Sequence, residues 1–75
     1  MKLVGKRAVD FERDGQRISG YRLYWEYPDD HVDGVATDTC FVSDSKGIDV
    51  YALSIGYDYT ILYNKYGKVE DIVAR

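Results

Sequence analysis

The stretch ISGYRLYWEY, residues 18–27, decides the fold because it is the densest run of strand-forming residues in the chain. Four of its ten residues are aromatic, and no spacing of three or four residues marks a helical face. Successive side chains of a strand point to opposite faces of the sheet. One set is suited to a core: Tyr21, Leu23, Trp25 and Tyr27. The other set faces water or a ligand: Arg22, Tyr24 and Glu26.

Turn signals on both sides of this stretch divide the rest of the chain into further strands. Asp14-Gly15 is a strong hairpin signal, Pro28 ends the long strand, and Asn64 to Gly67 reads as a four-residue turn. The predicted strands are Leu3–Phe11, Gln16–Tyr27, Val35–Val42, Tyr59–Asn64 and Lys68–Ala74. Ser43 to Gly47 is a predicted loop. Ile48 to Ile55 fits neither the helical nor the strand period, so it is a short helical turn, an irregular connection or an edge strand.

Alternation also predicts which side chains face the core in strands one and three. In strand one, Leu3 and Phe11 occupy alternate positions and are expected on the same face of the sheet, with a bulge at Gly5. In strand three, Phe41 is expected inside and Asp38 outside. Gly20 is a bend point that lets the long second strand serve both sides of a small barrel.

These features predict a single all-β domain over residues 1–75, with one short helical turn at most. The favoured architecture is a five-stranded antiparallel small barrel of the oligonucleotide/oligosaccharide-binding (OB) type, in which residues 44–56 fill the connection from strand three to strand four. An SH3-like barrel or an open meander would explain the strand count equally well.

The chain has few of the supports that small domains use. Its one cysteine, Cys40, cannot form a disulfide within a monomer, and one cysteine with one histidine excludes a zinc site of Cys/His ligands from a single chain. No metal and no cofactor are therefore expected. Dimerisation remains open as a support, so a homodimer is one expected state.

Charge is unevenly distributed along the sequence. Residues 1–22 carry a net charge of +3, residues 23–58 carry −7, and residues 59–75 carry +1. No apolar run is long enough to span a membrane and no signal peptide is recognisable, so no membrane partner and a cytoplasmic location are expected.

The C-terminal stretch SIGYDYTILYNKYGKVEDI, residues 54–72, resembles the ending of small β-barrel proteins from phages and mobile elements of Gram-positive bacteria. Some of those proteins resemble the single-stranded DNA-binding proteins of filamentous phages. The resemblance rests on turn chemistry over about the last third of the chain. It implies an OB-like barrel, often dimeric, with a role in replication or transfer.

Aromatic and basic side chains make single-stranded nucleic acid the leading predicted partner. Bases stack on exposed aromatic rings, and cations follow the phosphate backbone. The candidate residues are Lys6, Arg17, Arg22, Tyr24, Tyr63, Lys65 and Tyr66. The alternative is that these tyrosines pack across strands and that the cations form a solvated surface paired with nearby acids.

The acidic middle of the chain supports a second hypothesis of another class. A negative surface would dock on a basic host protein, or would imitate DNA and so inhibit a host nucleic-acid-binding protein. Its candidate residues are Asp29, Asp30, Asp33 and Asp38. The chain offers no nucleophile with a recognisable base, so a non-enzymatic binding module is expected.

Overall fold

Five strands and two short 3-10 turns make up the computed structural model, which describes residues 1–75. The strands are β1 (Lys2–Arg13), β2 (Gln16–Tyr27), β3 (Ala36–Ser43), β4 (Tyr59–Tyr63) and β5 (Val69–Ala74). The all-β prediction is confirmed, and each predicted strand is found with its ends shifted by a few residues at most.

The strands form two antiparallel sheets, β1-β2-β3 and β4-β5. The start of β1 joins them, because Lys2 pairs with Asp58 and the Leu3 amide donates to the Tyr57 carbonyl at 3.0 Å. At the opposite side, β3 and β5 lie near each other without a ladder between them. The hydrogen bonds therefore do not close a five-stranded barrel.

The hairpin between β1 and β2 turns where the sequence predicts it. Arg13 pairs with Gln16, and the two residues between them have positive φ, 51° at Asp14 and 77° at Gly15. A two-residue loop with both central residues in this region matches the right-handed twist of its strands. Aspartate and glycine are favoured there because both tolerate positive φ.

A bulge in β1 reverses one expectation about its faces. The register shifts between Leu3 and Gly5, and beyond it Lys6 lies opposite Leu23, whereas Phe11 lies opposite Ile18. One extra residue moves every later side chain to the other face of the sheet. The prediction that Phe11 shares the side of Leu3 is therefore wrong, although the bulge itself lies at the predicted place.

The core lies between the two sheets and the segment that joins them. The most deeply buried side chains are Leu3, Leu23, Trp25 and Val42, and the Trp25 ring meets the Tyr59 ring edge-on with centroids 6.2 Å apart. The predicted alternation of β2 is thus confirmed. Five further buried hydrophobic residues complete the core: Val50, Leu53, Tyr59, Val69 and Ile72.

The connection from β3 to β4 contains 3-10 turns at Asp44–Lys46 and Val50–Ala52. Each begins at a capping side chain, since Ser43 Oγ accepts from the Ser45 amide and Asp49 Oδ1 accepts from the Tyr51 amide. The second turn buries Val50 against the core. A short helical turn is one of the three alternatives predicted for residues 48–55, whereas the turn at Asp44–Lys46 lies in a predicted loop. No helix in the chain has the length and apolarity needed to cross a membrane.

Candidate functional site

The outer face of the β1-β2-β3 sheet, the side turned away from the core, carries two arginines side by side. Arg7 lies directly opposite Arg22 in the β1–β2 ladder, and Arg22 lies opposite Phe41 in the β2–β3 ladder. The neighbouring row holds Gly5, Tyr24 and Thr39. Side chains directly opposite each other project from the same face of a sheet. The outer face therefore groups two cations with two aromatic rings.

Two glycines give these rings room to lie against the sheet. A Cβ atom at Gly5 would sit 3.2 Å from Tyr24 Cδ2, and one at Gly20 would sit 2.8 Å from Phe41 Cζ. Phe41 also reaches Phe11 across the sheet, with ring centroids 6.3 Å apart. The rings of Tyr24 and Phe41 thus approach the backbone at these two glycines, and both side chains are half-buried on the outer face.

The two arginines have no acidic partner. The chain has two ion pairs within 4 Å, Lys2 with Glu26 at 3.7 Å and Arg17 with Asp10. Like charges directly opposite in a ladder destabilise a sheet. The Arg7–Arg22 pair is therefore an arrangement that the fold does not need.

Lys6 and Arg17 do not share the face of Arg22, so the three predicted cations do not form one phosphate track. The bulge turns Lys6 toward the core side, where its ammonium donates to the carbonyls of Val50 at 3.3 Å and Leu53 at 2.8 Å. Arg17 donates from Nε to Asp10 Oδ1 at 3.0 Å, and this contact lowers the pKa of the Asp10 carboxyl. Both cations are engaged within the chain.

The Lys6 contacts give a stability prediction. Replacing Lys6 by methionine keeps the length of the apolar stem but removes two hydrogen bonds to the second 3-10 turn. We expect the free energy of unfolding to fall by about 1–3 kcal/mol, because hydrogen bonds from a charged donor contribute that much. Urea titration followed by circular dichroism measures it. Lys2→Met is the matched control, and an equal loss in both variants would contradict a specific role for Lys6.

The remaining aromatic candidates lie on the β4–β5 hairpin and do not join the outer face. The Tyr63 side chain is half exposed and faces the gap toward β3. The pKa of its hydroxyl is raised, mainly by partial burial of the group and then by the charges of Cys40 and Asp38. Lys65 places its ammonium 5.2 Å from the centre of the Tyr66 ring, a cation–π distance. Tyr66 itself is 75 % exposed, so it can contact a ligand only at the hairpin end.

The acidic candidates are spread over the loop before β3 and over β3 itself. Asp29 Oδ1 accepts from the His31 amide at 2.8 Å, and Asp38 Oδ1 accepts from the Thr39 amide at 2.8 Å. Asp30 and Asp33 are exposed. Two of the four carboxylates therefore serve the local backbone.

Arg7, Phe41 and Phe11 belong to the outer face and were not among the sequence-predicted site residues. Phe41 was expected in the core, but Val42 and Cys40 take the core side of β3 and Phe41 lies opposite Arg22. The alternation in β3 allows either Phe41 or Val42 to face the core, since both side chains are apolar. Carrying the predicted bulge at Gly5 through the alternation of β1 would have moved Arg7 to the face of Arg22.

Cys40 lies on the core side of β3, and its sulfur accepts a hydrogen bond from Trp25 Nε1 at 3.3 Å. Burial is the main cause that raises the pKa of the Cys40 thiol, and the Trp25 contact partly opposes it. The chain has no group of three or more His, Cys, Asp or Glu side chains that could hold a metal ion.

The raised thiol pKa predicts slow alkylation. Because the thiolate is the reacting species, iodoacetamide at pH 8 should modify the folded chain more slowly than the urea-unfolded chain. The thiol pKa of Cys40 is higher in the folded chain than in the unfolded chain, so the free energy of unfolding depends on pH. This free energy is largest below the thiol pKa of the unfolded chain, and it falls as the pH rises through the thiol pKa of the folded chain. Mass spectrometry against time checks the rate. Equal rates at equal pH would contradict the burial of the thiol.

Comparisons with protein-family models, with curated proteins and with solved structures gave no match to this chain. The resemblance of residues 54–72 to phage and mobile-element proteins therefore stays a prediction.

Proposed function

We propose that the outer face binds single-stranded nucleic acid. The observation that carries this proposal is the Arg7–Arg22 pair, two arginines directly opposite each other without a carboxylate within 4 Å, on the same face as Tyr24 and Phe41. Arginines neutralise phosphates, and flat exposed rings stack on unpaired bases. A double helix offers no unstacked base to those rings, so single strands are the preferred ligand.

The topology supports an open barrel of the OB type. The start of β1 meets the segment before β4, and β3 lies beside β5. In OB domains the face of strands two and three, with the loops after strands one and four, binds oligonucleotides. Arg22, Tyr24 and Phe41 stand on that face, and Tyr66 lies in the loop after β4.

The test is a titration of a fluorescein-labelled oligo-dT of about 12 nucleotides, followed by anisotropy. A labelled oligonucleotide is needed because Trp25 is buried on the core side and does not contact a ligand on the outer face. We expect a dissociation constant on the order of 10 µM at low salt that weakens steeply as salt is added. A duplex of equal length should bind more weakly. No anisotropy change at low salt would contradict the proposal.

Tyr24 supplies a prediction that separates stacking from hydrogen bonding. Tyr24→Ala removes the ring and should weaken oligo-dT binding by about tenfold, because base–aromatic stacking contributes about 1–3 kcal/mol. Tyr24→Phe keeps the ring and should bind like the unaltered chain. Equal losses in both variants would mean that the hydroxyl, and not the ring, contacts the ligand.

The acidic docking hypothesis gains no comparable support. Asp29 and Asp38 accept backbone hydrogen bonds within the chain, and the remaining two carboxylates lie at exposed loop positions. The titration also bears on it, because a DNA mimic would ignore oligo-dT.

A further inference from the structure

Most of β1 has no strand partner on one of its two edges. On the other edge β2 pairs with it along its whole length, whereas only the first residues of β1 reach the second sheet and the segment before it, through the bridge from Lys2 to Asp58 and the bonds of Leu3. Residues 6–12 of β1 therefore have a free edge. A free edge offers unpaired N–H and C=O groups that can pair with another extended chain.

The hairpin register shows which backbone groups of the free edge are unpaired. Arg13 and Gln16 flank a two-residue loop, so Arg13 directs its N–H and C=O groups at β2. In an antiparallel ladder this direction alternates along the strand. Four exposed residues therefore direct these groups away from β2, and none of them has a backbone partner elsewhere in the chain: Lys6, Ala8, Asp10 and Glu12.

Charge divides the free edge into a basic half and an acidic half. Lys6 and Arg7 lie at one end, and Asp10 and Glu12 lie at the other. Charged side chains on an edge oppose indiscriminate strand pairing. A second copy of β1 in antiparallel alignment centred on Val9 is complementary, because Lys6 then lies opposite Glu12 of the second copy. Opposite charges on directly opposed residues stabilise a sheet, and two-fold symmetry makes this contact twice.

The side chains that this alignment brings together have unused capacity. Neither Lys6 nor Glu12 takes part in the two ion pairs of the chain. An ammonium group has three donors, and that of Lys6 uses two of them on carbonyls within residues 50–53. The third donor remains for a carboxylate. Ala8 lies opposite Asp10 of the second copy, where its small side chain leaves room for the Asp10–Arg17 ion pair.

Other registers fit less well. Centring the alignment on Asp10 places the Asp10 carboxylates of the two copies opposite each other, which destabilises a sheet. Centring it on Ala8 places Glu12 opposite Val4, which lies in the β1 bulge. The alignment centred on Val9 pairs the whole free edge with itself, because residues 6 and 12 are equally distant from it.

We propose that two copies of the chain pair through the free edges of β1, antiparallel and centred on Val9, so that their three-stranded sheets join into one sheet. The symmetry axis is perpendicular to this sheet, so both outer faces lie on the same side. Edge pairing covers neither face, and Arg7, Arg22 and Tyr24 remain accessible. The proposal does not depend on nucleic-acid binding. One strand edge per copy is a smaller interface than the about 800 Å² per partner of a standard complex, so we expect a dissociation constant on the order of 100 µM.

Sedimentation velocity without nucleic acid measures the association. Between about 10 µM and about 1 mM the chain should pass from monomer to dimer and form no larger species, because a two-fold interface is closed. A monomer at the highest concentration would overturn the proposal. So would larger assemblies, a dimer that forms only when oligo-dT is added, or a dimer that a reducing agent separates, which would be a disulfide of Cys40.

Amide hydrogen exchange followed by nuclear magnetic resonance locates the interface. At the higher concentration the amides of Ala8, Asp10 and Glu12 should exchange about threefold more slowly, because they gain partners in the second copy. The amides of Val9 and Phe11 already bind β2 and should change less. Slower exchange confined to β3, β4 or β5 would place the interface elsewhere and overturn the assignment to β1.

Substitutions at Ala8 test the charges in opposite directions. The side chain of Ala8→Lys lies opposite Asp10 of the second copy in two symmetric contacts, so the dimer should tighten by about fivefold. Ala8→Glu should weaken it by a similar factor. Ala74→Lys and Ala74→Glu are the matched controls at an exposed position of β5, and each should change the dissociation constant by less than about twofold. Equal changes at the two positions would mean that association follows net charge, and would overturn the proposal.

Discussion

Replacing Arg7 and Arg22 together by alanine is expected to weaken oligo-dT binding by about 30-fold or more at low salt. Each guanidinium is placed to neutralise one phosphate, and two such contacts at about 1 kcal/mol each give that factor. The slope of log K against log salt should also become shallower by about 1.4, since each phosphate contact to a single strand contributes about 0.7. Anisotropy titrations at four salt concentrations measure both quantities.

The same double variant should not lose stability. Arg7 and Arg22 lie directly opposite each other without an acidic partner, so their removal relieves a like-charge contact that costs about 0.2–1 kcal/mol. Urea unfolding should therefore show equal or higher stability. Unchanged or higher stability together with weaker oligo-dT binding would mean that the two arginines serve ligand binding. If the arginines served only the structure, their removal would lower both the stability and the affinity.

Arg17→Ala with Arg75→Ala is the matched control, because it removes the same formal charge from other places. Arg17 pairs with Asp10, and Arg75 follows β5 beside Met1 and Pro28. Charges beyond a Debye length, about 10 Å at 0.1 M salt, contribute little. The control should lose less than about threefold in affinity. Equal losses in the two double variants would mean that binding follows overall charge, and would contradict a site on the outer face.

Most of the fold could be predicted because local chemistry decides it. The Asp14-Gly15 turn, the alternation of β2 and the end of that strand at Pro28 each follow from a few neighbouring residues. The closure of the barrel could not, because it depends on how β3 and β5 approach each other over a long chain separation. The structure has two sheets with an open seam at that point.

The candidate site was predicted only in part, because the one extra residue of the β1 bulge decides which β1 side chains reach the outer face. Arg22 and Tyr24 were placed on one face correctly, since β2 has no bulge that would change its alternation. In β1 the bulge between Leu3 and Gly5 exchanges Lys6 for Arg7 on the outer face. The sequence marks Gly5 as a bulge candidate but does not say on which residue the extra position falls.

Gly20→Ala should cause the largest loss of stability, at least about 3 kcal/mol. Gly20 does not have positive φ, so the alanine backbone is allowed and the cost comes from collision alone. Its Cβ would lie 2.3 Å from the Val42 carbonyl oxygen and 2.8 Å from Phe41 Cζ. The carbonyl belongs to β3, the neighbouring strand, and cannot retreat without disturbing the β2–β3 ladder.

A loss of this size would remove much of the stability expected for 75 residues, about 4–11 kcal/mol at typical values per residue. The urea midpoint of Gly20→Ala should therefore fall far below that of the unaltered chain. Gly5→Ala is the control, because its Cβ meets only the Tyr24 side chain, with Cδ2 nearest at 3.2 Å, and the ring can turn aside for less than about 1 kcal/mol. Gly5→Ala should keep its urea midpoint and weaken oligo-dT binding through the displaced ring. If both variants unfold at the same urea concentration as the unaltered chain, the close approach of β3 to Gly20 does not exist in solution, and Phe41 is not held over the outer face.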